Sequence, residues 1–99
     1  MNMLDYDYSK LGCEIGKVVN AKQKAYGDSF GKVGDLLRNI YPDGVKPEQY
    51  DDMLTIVRLF DKIFRIANKK DAFGESPYID IAGYAILGAA RDEVKAKGK

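Results

Sequence analysis

From Pro47 to about Asn68 the apolar residues Tyr50, Met53, Leu54, Ile56, Val57, Leu59, Phe60, Ile63, Phe64 and Ile66 recur so densely that they occupy more than one face of a helix. A helix apolar over that much of its circumference has to lie at the centre of a packed set of elements. Into it is set a polar stripe: Arg58, Asp61, Lys62 and Arg65 stand at i, i+3, i+4 and i+7 and therefore share one side. Three cations and one anion within two turns suit a phosphate-bearing ligand better than general acid-base chemistry. The same spacing also lets the four side chains pair with one another in solvent, at ~0.2–0.5 kcal/mol per pair.

The rest of the chain supplies helices to surround that central one. Between Ser9 and Tyr26, Leu11, Ile15, Val18, Val19 and Tyr26 recur every three to four positions, with Lys10, Lys17, Lys22 and Lys24 largely between them. This predicts an amphipathic helix over 9–26, with Ser9 as N-cap and Gly27 as its left-handed stop. A second helix, over 29–41, is capped by Asp28 or Ser29 and carries Phe30, Val33, Leu36, Leu37 and Ile40 at the same spacing. Its Gly31 and Gly34 lower helix propensity, which close packing against another helix or a ligand would explain. Tyr41-Pro42-Asp43-Gly44 reads as a turn, the long helix runs over 47–68, and Ser76-Pro77 opens a fourth over 77–96. The fourth is uncharged from Ile81 to Ala90 and rich in small residues, so it is expected to be buried in the bundle, at a subunit contact, or both. The charged segment from Arg91 onward is expected to fray. No strand-like alternation and no repeat competes with this reading: one all-α domain over 1–99, a four-helix bundle.

Composition narrows function. Ninety-nine residues leave much surface uncovered, which favours a homo-oligomer. The net charge of +1 argues against general nucleic-acid binding, so any basic site is local. Without histidine and with one cysteine, the usual zinc sets and most nucleophile-base pairs are absent, and only carboxylates remain to hold magnesium or manganese. Cys13 reads as a small buried hydrophobe of a reducing compartment. No basic-then-apolar leader and no run of ~20 apolar residues is present; the expectation is a soluble cytoplasmic protein that does not engage membranes.

Three motifs come in order: Tyr26-Gly27-Asp28-Ser29-Phe30 at the joint of helices one and two, Arg58-x-x-Asp61-Lys62-x-x-Arg65 on helix three, and Glu75-Ser76 followed by Asp80-Ile81-Ala82-Gly83-Tyr84-Ala85 on helix four. A joint as tight as Gly27-Asp28 brings helix ends together, and the free N–H groups and dipole at the start of helix two favour an anion. Asp80, at the head of an uncharged helix, is costly to bury without a partner: Arg58 or Arg65 in a salt bridge, or a bound metal. Tyr26, Tyr78 and Tyr84 offer stacking surfaces for a base, although tyrosines at helical spacing also serve as core.

Together the three motifs, over roughly Lys24 to Ala90, resemble the phage and bacterial nucleotide modification associated domain, a small helical group similar to the MazG-like all-α nucleotide pyrophosphatases. The resemblance implies nucleotide handling, a MazG-like fold in dimers or tetramers, a setting in phage genomes and the host cytoplasm, and, for the enzymes, magnesium-dependent cleavage of nucleoside triphosphates. Where MazG-like enzymes carry Glu-Glu-x-x-Glu, helix three offers Asp61 amid cations, and where closer relatives place an acid one turn before the Asp of Asp-Ile-Ala-Gly-Tyr, this chain has Ser76, with Glu75 one residue away. Two metals on a triphosphate call for several converging carboxylates. The expectation is therefore a protein that binds, sequesters or senses a nucleotide or nucleotide-derived molecule without turnover and without a cofactor, through Tyr26, Asp28, Ser29, Arg58, Lys62, Arg65, Asp80 and Tyr84. The alternatives are a magnesium-dependent pyrophosphohydrolase using Asp61, Glu75 and Asp80, and a helical adaptor whose fourth helix meets a protein partner.

Overall fold

The computed structural model describes residues 2–98, which are helical throughout their regular parts, with no strand among them. The four long helices are α1 (Tyr8–Tyr26), α2 (Ser29–Ile40), α3 (Tyr50–Lys69) and α4 (Pro77–Lys97). Short 3-10 turns precede α1 (Met3–Asp5), lead into α3 (Pro47–Gln49) and sit between α3 and α4 (Ala72–Gly74).

The start of α1 is set by Asp7 rather than Ser9: the Asp7 carboxylate accepts from the Lys10 N–H at 2.9 Å. An ionised acceptor does this better than a hydroxyl, and Ser9 falls inside the first turn. The α1–α2 joint consists of two consecutive left-handed residues, Gly27 (φ 57°) and Asp28 (φ 57°). A non-glycine residue there costs about 1–2 kcal/mol. The Asp28 carboxylate offsets this by accepting from the Gly31 N–H at 3.2 Å and from Gln23 Nε2 at 2.9 Å. That carboxylate also fills the space beside Gly31, so what Gly31 makes room for is its own cap and not another helix.

Gly44 (φ 89°) closes the turn after α2, its N–H donating to the Tyr41 carbonyl at 3.0 Å. Pro47 then begins a 3-10 turn, so α3 proper starts at Tyr50, with Asp51 and Asp52 against its positive end and Lys69 at its last turn. Pro77 opens α4 and is fully buried, while the Ser76 hydroxyl makes no capping bond. The helix continues through the charged tail to Lys97.

α3 touches each of the other three helices, and those three touch one another only sparsely. α4 runs antiparallel to it: Asp80 lies against Lys62, Tyr84 against Arg58, and Lys95 Nζ is 3.8 Å from the Asp51 carboxylate. The central place of α3 follows from its apolar circumference. The outer helices, however, do not close around it. The radius of gyration is 18.0 Å, against about 13 Å for a compact domain of this length. Among the described residues few apolar side chains are buried: Ala25, Val33, Ala72 and the ring of Pro77.

Two expectations of burial are corrected by this open arrangement. Within one chain α4 is not an interior helix, since Ile79, Ile86, Leu87 and Val94 are exposed. Cys13 is exposed as well, because α1 overhangs the body and Cys13 lies two residues from Leu11, on the side of the helix turned away from the apolar stripe.

Candidate functional site

The polar stripe of α3 opens onto a cavity of about 470 Å³, a volume that suits a small ligand. α3 contributes Val57, Arg58, Asp61 and Lys62 to its wall, and α4 contributes Tyr84. α2 faces it with Ser29, Phe30, Val33, Gly34 and Leu37, positions that fall on one side of a helix. The last turns of α1 complete the wall with Lys22, Gln23 and Tyr26.

Several of the polar groups there have definite partners. The Ser29 hydroxyl, on a residue that is itself buried, donates to Asp61 Oδ1 at 2.8 Å and ties the start of α2 to the middle of α3. Lys62 Nζ lies 3.3 Å from Asp80 Oδ2, with the two side chains 17% and 33% exposed. The guanidinium of Arg58 stands 5.6 Å from the centre of the Tyr84 ring, a cation–π arrangement that leaves its N–H groups free for an anion. Neither Arg58 nor Lys22 pairs with a carboxylate among the described residues. Tyr26 stacks on Phe73 with ring centroids 6.3 Å apart, which steadies its ring at one end of the cavity. Phe30 is 92% exposed and stands at the rim.

Of the eight residues the sequence proposes as a ligand site, Tyr26, Ser29, Arg58, Lys62 and Tyr84 line the cavity together. The other three lie elsewhere. Asp28 caps α2. Asp80 supports the wall from behind through Lys62 rather than pairing with Arg58 or Arg65. Arg65 is 1% exposed, and its Nη2 donates to the Glu75 carbonyl, so it ties α3 to the connection before α4. Seven residues, or about 10 Å along a helix, separate it from Arg58, enough to carry it past the end of the cavity.

Sequence reasoning named Phe30 within the joint motif and a ligand's close approach as one reason for Gly34, but did not place Lys22, Gln23, Val33, Leu37 and Val57 in the wall. Helical spacing carried a signal for the wall: Lys22 is one turn before Tyr26, and Phe30, Gly34 and Leu37 share a side with Ser29.

The three acids considered for magnesium do not converge. Asp61 accepts from Ser29, Asp80 faces Lys62, and Glu75 sits in the α3–α4 connection with its carbonyl engaged by Arg65. Among the described residues no group of three acids or other metal-binding side chains is placed to hold an ion. Among the described residues no helix is long and apolar enough to cross a membrane.

Fold and cavity thus define an all-helical protein with a cationic, aromatic-edged cavity between α1, α2, α3 and α4. Set against protein-family models, curated proteins and solved structures, the chain matches none.

Proposed function

We propose that this cavity binds a nucleotide or nucleotide-derived molecule and holds it without turnover, as a protein that sequesters or senses such a ligand would. One observation carries the reading: two cations without carboxylate partners, Arg58 and Lys22, share a cavity with the aromatic rings of Tyr26, Phe30 and Tyr84. Arg58, with Lys22 and Lys62, takes the phosphate; Tyr84, Tyr26 or Phe30 packs the base. The resemblance of the three motifs to the nucleotide modification associated domain points to the same ligand class. We place the activity in the cytoplasm, that of the host cell if the chain is phage-borne. Binding needs no metal, and the dispersed positions of Asp61, Glu75 and Asp80 speak for retention over magnesium-dependent hydrolysis.

The test is a panel of ordinary, modified and cyclic nucleotides, each with and without magnesium, followed by melting temperature and by chromatography of the nucleotide. Stabilisation by one class with the nucleotide recovered intact is the expected result, and Arg58→Ala abolishes it. Metal-dependent release of pyrophosphate would replace the binder with an enzyme. No shift with any nucleotide removes the reading altogether.

A further inference from the structure

Among the described residues Asp61 is the only acid in the cavity wall, where the other charged residues are Lys22, Arg58 and Lys62. Arg58 and Arg65 are its neighbours along the surface of α3, yet no lysine or arginine pairs with its carboxylate among the described residues. Its Oδ1 accepts from the buried Ser29 hydroxyl at 2.8 Å, which gives the carboxylate a fixed direction. Its Oδ2 accepts no hydrogen bond among the described residues. Nor is Oδ2 one of the buried unpaired side-chain atoms, which are Arg65 Nε and Arg91 Nη1, so it is accessible. A half-buried carboxylate, oriented by another helix and left with one oxygen open, thus shares the cavity with Arg58 and Lys22.

That oxygen is a poor neighbour for a phosphate. An ionised carboxylate can only accept, and a second anion beside it is repelled. A ligand whose phosphate lies on Arg58 and Lys22 must present a neutral donor to Asp61 or lose affinity by covering it. In a nucleotide two kinds of group qualify: a sugar hydroxyl and a base N–H. The hydroxyls belong to the ring that carries the phosphate, and at their spacing on α3 Asp61 and Arg58 stand about 5–6 Å apart at Cβ. The base lies beyond the sugar, where Tyr26 at one end of the cavity and Phe30 at its rim offer rings. An acceptor for a base N–H is also present there: Gln23 donates its Nε2 to Asp28 at 2.9 Å, so its carbonyl oxygen is what remains for a ligand.

We propose that Asp61 accepts a hydrogen bond from a sugar hydroxyl of the bound nucleotide, so that the cavity reads the sugar and prefers a full ribose to one that lacks a hydroxyl. The inference rests on the nucleotide reading of this cavity and adds the sugar to it. An acidic side chain on a ribose hydroxyl is also how dinucleotide-binding sites recognise that ring. Ser29 is the positioning residue, because its hydroxyl holds Oδ1 and leaves Oδ2 for the ligand.

The test is calorimetric titration of the full chain with the monophosphates, triphosphates and cyclic monophosphates of the common ribonucleosides. Each is compared with its 2′-deoxy counterpart and, where linear, its 3′-deoxy counterpart. A nucleotide that binds is expected to lose about tenfold or more in affinity when the contacted hydroxyl is removed. Asp61→Asn keeps an acceptor for Ser29 but no charge, and is expected to shrink that ratio to about threefold or less, since a neutral acceptor holds a hydroxyl about half as strongly. Equal affinity for every sugar form overturns the inference and leaves the nucleotide reading standing, whereas no binding by any of these nucleotides removes both. A ribose preference that Asp61→Asn leaves at its wild-type size overturns the role of Asp61. A preference among bases that Asp61→Asn removes, with none among sugars, overturns it in favour of a base N–H. If Asp61→Asn fails to fold, amide chemical shifts of the wild type saturated with the ribose and deoxy forms carry the test. Differences centred on Asp61 and Ser29 support the inference, and differences confined to Tyr26 and Phe30 overturn it.

Discussion

The Ser29 hydroxyl donates to Asp61 Oδ1 at 2.8 Å, joining two helices whose partners are 32 residues apart in sequence. Ser29 is buried, so its replacement by alanine strips Asp61 of a protein donor in a half-buried place. Ser29→Ala is expected to cost about 1–2 kcal/mol, read as a lower urea midpoint with an unchanged slope. A midpoint equal to wild type would show that the α2–α3 contact rests on apolar packing alone.

Arg58 and Arg65 belong to one sequence stripe but do opposite work. Arg65→Ala leaves a void and an unpaired Glu75 carbonyl, and is expected to destabilise by roughly 2–5 kcal/mol, whereas Arg65→Met, closer in volume, recovers the part of that loss that comes from the void. Neither change reaches the cavity. Arg58→Ala is expected to leave the unfolding midpoint within ~0.5 kcal/mol of wild type and to lose nucleotide binding. Calorimetric titration beside chemical denaturation separates the two; a folded Arg65→Met that no longer binds would place Arg65 in the site.

Asp80 pairs with Lys62 in the cavity wall, Nζ to Oδ2 at 3.3 Å. Asp80→Asn releases that ammonium and removes a negative charge, so phosphate-bearing ligands are expected to bind about three- to tenfold more tightly at low salt, with the gain shrinking as salt screens it. Lys62→Met is expected to weaken the same ligands. Equal affinities for Asp80→Asn and wild type at both salt concentrations would mean that Lys62 does not face the phosphate.

Glycines 27 and 44 both have positive φ but differ in surroundings. A methyl group on Gly27 would collide with the Asn68 side-chain amide, whose Nδ2 donates to the Phe64 carbonyl at 2.7 Å, whereas one on Gly44 meets nothing. Gly44→Ala is expected to cost about 1 kcal/mol from backbone conformation alone, and Gly27→Ala at least twice that. Similar melting temperatures for the two variants would show that the Asn68 amide moves aside freely.

The sequence announces its helices because they are punctuated by residues with one physical job each: Gly27 and Gly44 for left-handed backbone, Pro47 and Pro77 for first turns. The choice of Asp7 over Ser9 was not visible, since two good caps two residues apart differ only in how well each accepts a hydrogen bond. Helical spacing put Arg58 and Arg65 on one side of α3. It gave no indication of where along that side the cavity ends. The apolar α4 announced burial without saying by what, because hydrophobicity is the same whether the cover comes from one chain or two. Most of the cavity wall from α2 was legible as a helical face only once Ser29 was known to look inward.

The paired left-handed residues Gly27 and Asp28 form the corner between α1 and α2. A helix of 19 residues is about 28 Å long, so a 10° change at that corner swings the far end of α1 by about 5 Å. The two torsions at that corner therefore fix where Leu11 and Tyr8 lie, although both are far from it along the chain.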